Sequence, residues 1–257
     1  MHDRLILVTN DDGLWSPGLE TLAEAASRFG RVVVVAPDRN RSAISSAMSL
    51  HNILRVHELG TDRYACDGTP VDCVLVGIRS LFGRSPDWVL SGINNGFNLG
   101  EDVFYSGTVG AAFEGCLQGG RAAAFSMDLE ADHAVAGRWI ERFLSRWENL
   151  ELPPNRIWNL NIPKGEPLGF RMAGQDNRKY HDSVERRLDP RGLPYYWVGG
   201  EMGPVYSRMP GSDAEAIQQG WISLTPLRLD LACPELMARA GETEVLLNQD
   251  GASNIPG

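Results

Sequence analysis

Three observations predict an α/β fold built on a Rossmann-like, mostly parallel, doubly wound sheet within a three-layer sandwich. Short apolar runs recur without alternating polar positions, as strands buried on both faces do. Stretches with helical periodicity and cap signals separate these runs, an order that implies right-handed βαβ crossovers. The chain has 257 residues, 43% hydrophobic and 22% charged, enough for one large domain or a core with an appendage.

The first strand is "LILVT" (5–9). The helix after it, "SPGLETLAEAASRFG", has Ser16 as cap, Pro17 at its first position and Gly30 at its end. "RVVVVA" (31–36) is the second strand, and residues 46–67, which lack helical periodicity, predict a β excursion. A helix over 69–83 opens with Thr69 and Pro70, and the strand "DWVLSG" (87–92) follows. The helix "SGTVGAAFEGCLQGG" (106–120), the strand "AAAFSM" (122–127), a helix over 131–150 and the strand "IWNLNI" (157–162) complete a core of residues 1–163. Residues 164–257 change in texture, with "GFRMAGQDNRKYHDSVERRLDPRGLPYYWVGG" rich in Gly, Pro, Arg and aromatics. A loop-like stretch of this length predicts β-rich hairpins or arms rather than an independent domain. Arginine and aromatic side chains, as in Arg178–Tyr180 and Tyr195–Trp197, suit a subunit interface, so a homodimer or homotetramer joined through the arms is expected.

A net charge of −9 argues against nucleic-acid binding through a basic face. It also requires local positive charge wherever an anionic substrate binds. The four cysteines have neither C-x-x-C nor zinc-finger spacing and read as reduced thiols of a cytoplasmic protein. No apolar run reaches the ~18 residues of a membrane helix, and the apolar stretch of "MHDRLILVTNDD" is too short for a signal peptide.

Each core strand of the first half runs into a polar cluster. The first leads to Asn10, Asp11, Asp12 and Gly13, the second to Asp38, Asn40, Arg41 and Ser42, and the third to Ser91, Asn94, Asn95 and Asn98. Taken singly, the acidic pair is a solvated turn, Ser42 a turn residue and Asn94 a left-handed residue before Gly96. Ligands of open α/β sheets bind at the carboxyl ends of strands, where these clusters are expected to converge. Two Asp, a Ser and an Asn form an all-oxygen set suited to one hard divalent cation such as Mg²⁺ or Mn²⁺. Ser106, Gly107 and Thr108 open a helix whose free N–H groups suit an anion, and a metal beside an anion site points to a bridging phosphoryl group. Arg39 and Arg41 read equally as phosphate clamps or as structural ion-pair partners.

The motifs "ILVTNDDG", "SPGL", "VVAPDRNRS", "DGTPVDCV", "LSGINNGFNLGEDVFYSGTVGAAFEG", "ERRLDPRGLPYYWVGG" and "AIQQGWISLTPL" resemble those of the SurE survival proteins, metal-dependent nucleotidases. They run in order from residue 6 to about 227. The resemblance implies that Asp11, Asp12, Ser42 and Asn94 hold the metal. It further implies a cytoplasmic enzyme that hydrolyses nucleoside 5′- or 3′-monophosphates, with C-terminal arms exchanged between subunits. The resulting expectation is attack by a metal-activated water, with Asp11 and Asp12 as the catalytic carboxylates. Asn10, Asn40, Asn98, Ser106, Gly107 and Thr108 are then expected around the phosphate. The family commonly has glycine where this chain has Ala43. A haloacid-dehalogenase-like phosphatase is the competing enzyme reading, but its two acids are spaced by one residue, and here they are adjacent. A receiver-like Mg²⁺-binding switch needs an acceptor Asp where this chain has Ser-Gly-Ile-Asn.

Overall fold

The computed structural model describes residues 4–179, 184–198 and 205–248, and Tyr180 of the expected interface lies outside them. The strands are β1 (Leu5–Thr9), β2 (Arg31–Pro37), β3 (Val56–Gly60), β4 (Arg63–Cys66), β5 (Trp88–Asn95), β6 (Arg121–Met127), β7 (Arg156–Ile162), β8 (Phe170–Met172), β9 (Arg178–Lys179), β10 (Val184–Leu188), β11 (Pro194–Val198), β12 (Val205–Tyr206) and β13 (Ile222–Arg228). The helices are α1 (Pro17–Ser27), α2 (Pro70–Val76), α3 (Gly107–Leu117), α4 (His133–Leu144), α5 (Asp213–Gln218), α6 (Pro234–Met237) and α7 (Ala240–Asn248). Met1–Leu227 forms one compact unit, and Arg228–Gly257, with α6 and α7, forms another.

Nine strands make one sheet in the order β3-β4-β2-β1-β5-β6-β7-β13-β8. The run from β4 through β7 is parallel, and β3 joins β4 antiparallel. The predicted excursion is therefore a hairpin over its second half, while residues 46–55 are irregular. The chain enters the sheet at β1, builds outward through β2 and β4, then returns to β5 on the other side of β1. This reversal makes the β1/β5 boundary the topological switch point.

Burial on both faces accounts for the continuous apolar strands. Ile6 and Val8 pack with Leu19 and Leu22 of α1 and with Ile140 and Phe143 of α4. Leu5 and Leu7, pointing the other way, pack with Cys73 and Val74 of α2 and with Val109 and Ala112 of α3. The Ser16 hydroxyl accepts from the Leu19 N–H, and Thr69 with Asp72 forms a capping box. Gly30 does not end α1, which closes at Arg28. A Cβ at Gly30 would lie 2.4 Å from the Arg4 carbonyl oxygen, so close chain approach requires this glycine. The helix predicted over 69–83 is α2 followed by a π turn at Gly77–Leu81, and α4 stops at Leu144 rather than 150.

The segment after residue 163 does more than supply arms. β13 and β8 pair in parallel at the edge of the main sheet beyond β7. The antiparallel hairpin β10–β11 and the short ribbon β9–β12 lie between them in sequence and outside that sheet. Among the described residues, no helix is long and apolar enough to cross a membrane.

Candidate metal and phosphate site

The site is built at the carboxyl ends of β1, β2 and β5, and hydrogen bonds tie the three strand ends together. After β1, Asn10 lies beneath the turn, where its Nδ2 donates to the Gly13 carbonyl (3.0 Å) and the Ser16 hydroxyl (2.7 Å). Its Oδ1 accepts from the Gly13 N–H at 3.2 Å. The sequence reading put Asn10 on the phosphate, whereas its amide is engaged inside the turn that presents Asp11 and Asp12.

Asp11 is 3% exposed. Its Oδ1 accepts from the Thr108 hydroxyl (2.5 Å), its Oδ2 from the Thr108 N–H (3.1 Å), and its carbonyl from the Arg41 N–H (2.7 Å). The anion held at the start of α3 is therefore the chain's own carboxylate. Both Thr108 donors, expected on the phosphate, go to Asp11. A Cβ at Gly107 would lie 3.0 Å from the Asp11 Cβ and 3.1 Å from its Oδ2, so the missing side chain lets α3 come this close. Burial pushes the Asp11 carboxyl up from 3.8 to about 6; the Thr108 hydroxyl opposes the rise and the Asp12 charge adds to it.

Asp12 is half-buried, and burial raises its carboxyl also. Its Oδ2 accepts from the Asn95 N–H (3.2 Å) and its Oδ1 from Asn40 Nδ2 (3.3 Å). Asn40 Oδ1 in turn accepts from the Ser42 N–H at 2.8 Å, an Asx turn that links the acidic pair to the loop after β2. The exposed Ser42 hydroxyl makes no hydrogen bond among the described residues. Asn94 Nδ2 donates to the Gly96 carbonyl (2.8 Å), and no described residue donates to its Oδ1.

These groups fit a hard divalent cation. Of the two carboxylates, Asp11 is raised by burial and by its neighbour's charge, and Asp12 is hydrogen-bonded to Asn40 and Asn95, the chain neighbourhoods of Ser42 and Asn94. Among the described residues, no group of three or more His, Cys, Asp or Glu gathers as a metal site.

The loop after β5 is pinned from two sides. Asn98 is buried: its N–H donates to Asn161 Oδ1 (2.8 Å), its Nδ2 to the Ser126 hydroxyl (2.8 Å), and its carbonyl accepts from Asn159 (2.9 Å) and Asn161 (3.2 Å). From the other side, Asp213 Oδ2 accepts from the Gly100 N–H (2.8 Å), and Gln175 Nε2 donates to the Gly100 carbonyl (2.9 Å). Sequence reading missed Asn159, Asn161, Ser126 and Asp213. The first two carried a signal, because two Asn at i and i+2 break the apolar run of β7 on a single face. Asp213 carried none.

Ser106 caps α3 by accepting from the Val109 N–H (3.1 Å), and its hydroxyl proton remains available to an anion. Arg39 pairs through Nε with Asp38 at 3.1 Å, and Arg41 donates through one terminal nitrogen to the Asp67 carbonyl at 2.5 Å.

Fold and site together define an α/β protein with oxygen-bearing side chains at the switch point of a mostly parallel sheet. Comparison with known proteins narrows the class. A family model described as "Survival protein SurE" matches residues 6–182. A protein named 5'-nucleotidase SurE from Syntrophotalea carbinolica is 47% identical over 234 residues, covering 88% of this chain and 92% of that one. Its namesake from Geobacter sulfurreducens is 45% identical, covering 88% of each. The crystal structure of the SurE protein from Aquifex aeolicus superposes with a TM-score of 0.80 at 37% identity, covering 93% of this chain and 99% of that one. The chain belongs to the SurE family.

Proposed function

We propose that the chain hydrolyses nucleoside monophosphates as a metal-dependent 5′-nucleotidase, acting at 3′ positions as well where the substrate presents them. The observation that carries this reading is the bonding of three strand ends into one oxygen-lined cluster beside the N-terminus of α3. Asp11, Asp12, Ser42 and Asn94 hold the metal, Mg²⁺ or Mn²⁺ by the hardness of the ligands. When bound, the cation polarises the phosphoryl group and water.

The remaining work belongs to the chain. Ser106 donates its hydroxyl, and Gly107 its main-chain N–H, to the phosphate oxygens at the positive end of α3. Asn98 and Asn40 border the phosphate, Asn98 held rigidly by Ser126 and Asn161. Asn10 fixes the turn, and Asp12, the less enclosed of the pair, accepts the water's proton. The test is phosphate release from a panel of nucleoside 5′- and 3′-monophosphates with Mg²⁺, Mn²⁺ or EDTA. Release that persists unchanged in EDTA overturns the reading.

We further propose a cytoplasmic homodimer or homotetramer joined through the arms. Val184, Leu188, Leu193, Tyr195, Tyr196 and Trp197 of the β10–β11 hairpin and its turn are all exposed. Neighbouring strand residues point to opposite faces, so this two-stranded ribbon presents apolar groups on both sides and suits burial against another subunit. Replacing residues 184–198 by a short polar linker spares β8 and β13 and is expected to yield monomers in light scattering. Retention of the wild-type oligomer refutes the arm assignment.

A further inference from the structure

We infer that Thr108 is a positioning residue for the metal ligand Asp11 and not a ligand of the phosphate. The inference rests on the metal-centre reading above and deepens it.

Thr108 meets Asp11 with two donors of different kinds. Its hydroxyl donates to Oδ1 at 2.5 Å and its N–H to Oδ2 at 3.1 Å, so both carboxylate oxygens are held at once. A carboxylate gripped at two points has a fixed plane. One lone pair on each oxygen is taken, and one on each remains for a cation. Metal ligands are commonly oriented in this way by a partner behind them, and loss of that partner weakens metal binding.

Burial removes the alternatives. Thr108 is wholly buried and Asp11 nearly so, and among the described residues no other side chain bonds the Asp11 carboxylate. For Thr108 to serve a phosphate it must release Asp11, leaving a desolvated carboxylate without its donors, which is costly. The Gly107 contact with Asp11 indicates the same role, since the first turn of α3 is shaped around that carboxylate. The phosphate retains the Ser106 hydroxyl and the Gly107 N–H. The three residues opening α3 thus divide: Ser106 and Gly107 serve the substrate, and Thr108 serves the metal.

The test is Mn²⁺ titration of EDTA-stripped, dialysed full-length protein by calorimetry without substrate, on wild type, Thr108→Val and Thr108→Ser. Valine matches the shape of threonine and removes only the hydroxyl, and serine restores it. Thr108→Val is expected to weaken Mn²⁺ binding about 10–100-fold. Thr108→Ser is expected to stay near wild type, and inhibition by inorganic phosphate at saturating Mn²⁺ to stay unchanged in both. If circular dichroism shows that the valine variant is unfolded, Thr108→Ala takes its place. Wild-type Mn²⁺ affinity in the hydroxyl-free variant, with or without weaker phosphate inhibition, overturns the inference. A wild-type protein that takes up no Mn²⁺ overturns the metal-centre reading itself.

Discussion

Asp11→Asn separates what the site costs the fold from what it does for the metal. In the native chain without metal, burial holds the Asp11 carboxyl at about 6, against 3.8 in the open chain. Between these values the native state keeps a proton that the unfolded state has released, so native stability falls as pH rises. The contribution is intact below pH 4 and fully lost above about pH 6, and the difference converts to about 3 kcal/mol. Asparagine cannot ionise and removes both this slope and the repulsion with Asp12, although its amide meets one Thr108 donor badly. At pH 7 in EDTA the variant is therefore expected to be more stable than wild type, by up to about 3 kcal/mol less about 1 kcal/mol for the spoiled hydrogen bond. Millimolar Mn²⁺ should reverse the order, because only the ionised pair gains strongly from the cation. The assay is guanidinium unfolding of both proteins at pH 4.5 and 7, with EDTA and with Mn²⁺. A variant less stable than wild type in EDTA at pH 7, or one that gains as much from Mn²⁺, refutes the reasoning.

Ala43 adopts φ +57°, a left-handed conformation that glycine takes without strain. Ala43→Gly is expected to stabilise the Ser42 loop by about 0.5–1 kcal/mol after the added flexibility of the unfolded chain is counted, with a higher melting temperature as the check. Gly107→Ala places a methyl 3.0 Å from the Asp11 Cβ and is expected to cost about 1–3 kcal/mol in urea unfolding and to weaken Mn²⁺ binding in calorimetry. Asn161→Leu strands the buried N–H of Asn98 and one of its carbonyl bonds. It is expected to lose about 2–3 kcal/mol in urea unfolding, and kcat/KM more than tenfold by phosphate release.

The legible parts of this protein are those carried by neighbouring residues. β1 and β2 show as unbroken apolar runs because each is covered on both faces, and the helix starts at Ser16, Thr69 and Ser106 show because a cap and its N–H partner lie three residues apart. The acidic pair, Ser42 and Asn94 drew notice together because unusual polar residues followed successive strands. Helix ends were less visible: α4 stops before the apolar Trp147, which packs as part of a separate 3-10 turn. β13 and β8 were hidden among Gly, Pro and aromatic residues, since a short edge strand shows itself chiefly through its partner.

By itself, then, the order of residues determined the alternation of elements and the polar clusters that follow successive strands, while the sheet order placed the switch point between β1 and β5. Only the tertiary structure decided who holds whom. Thr108 could be read from sequence as a cap-region hydroxyl for any anion, and the fold shows that anion to be Asp11. Asn159 and Asn161 were polar interruptions of a strand until β7 brought them beneath Asn98. The physical reason is common to these cases. A hydrogen bond between residues far apart in the chain leaves no local pattern, because either partner alone is compatible with solvent, and burial together commits each to the other.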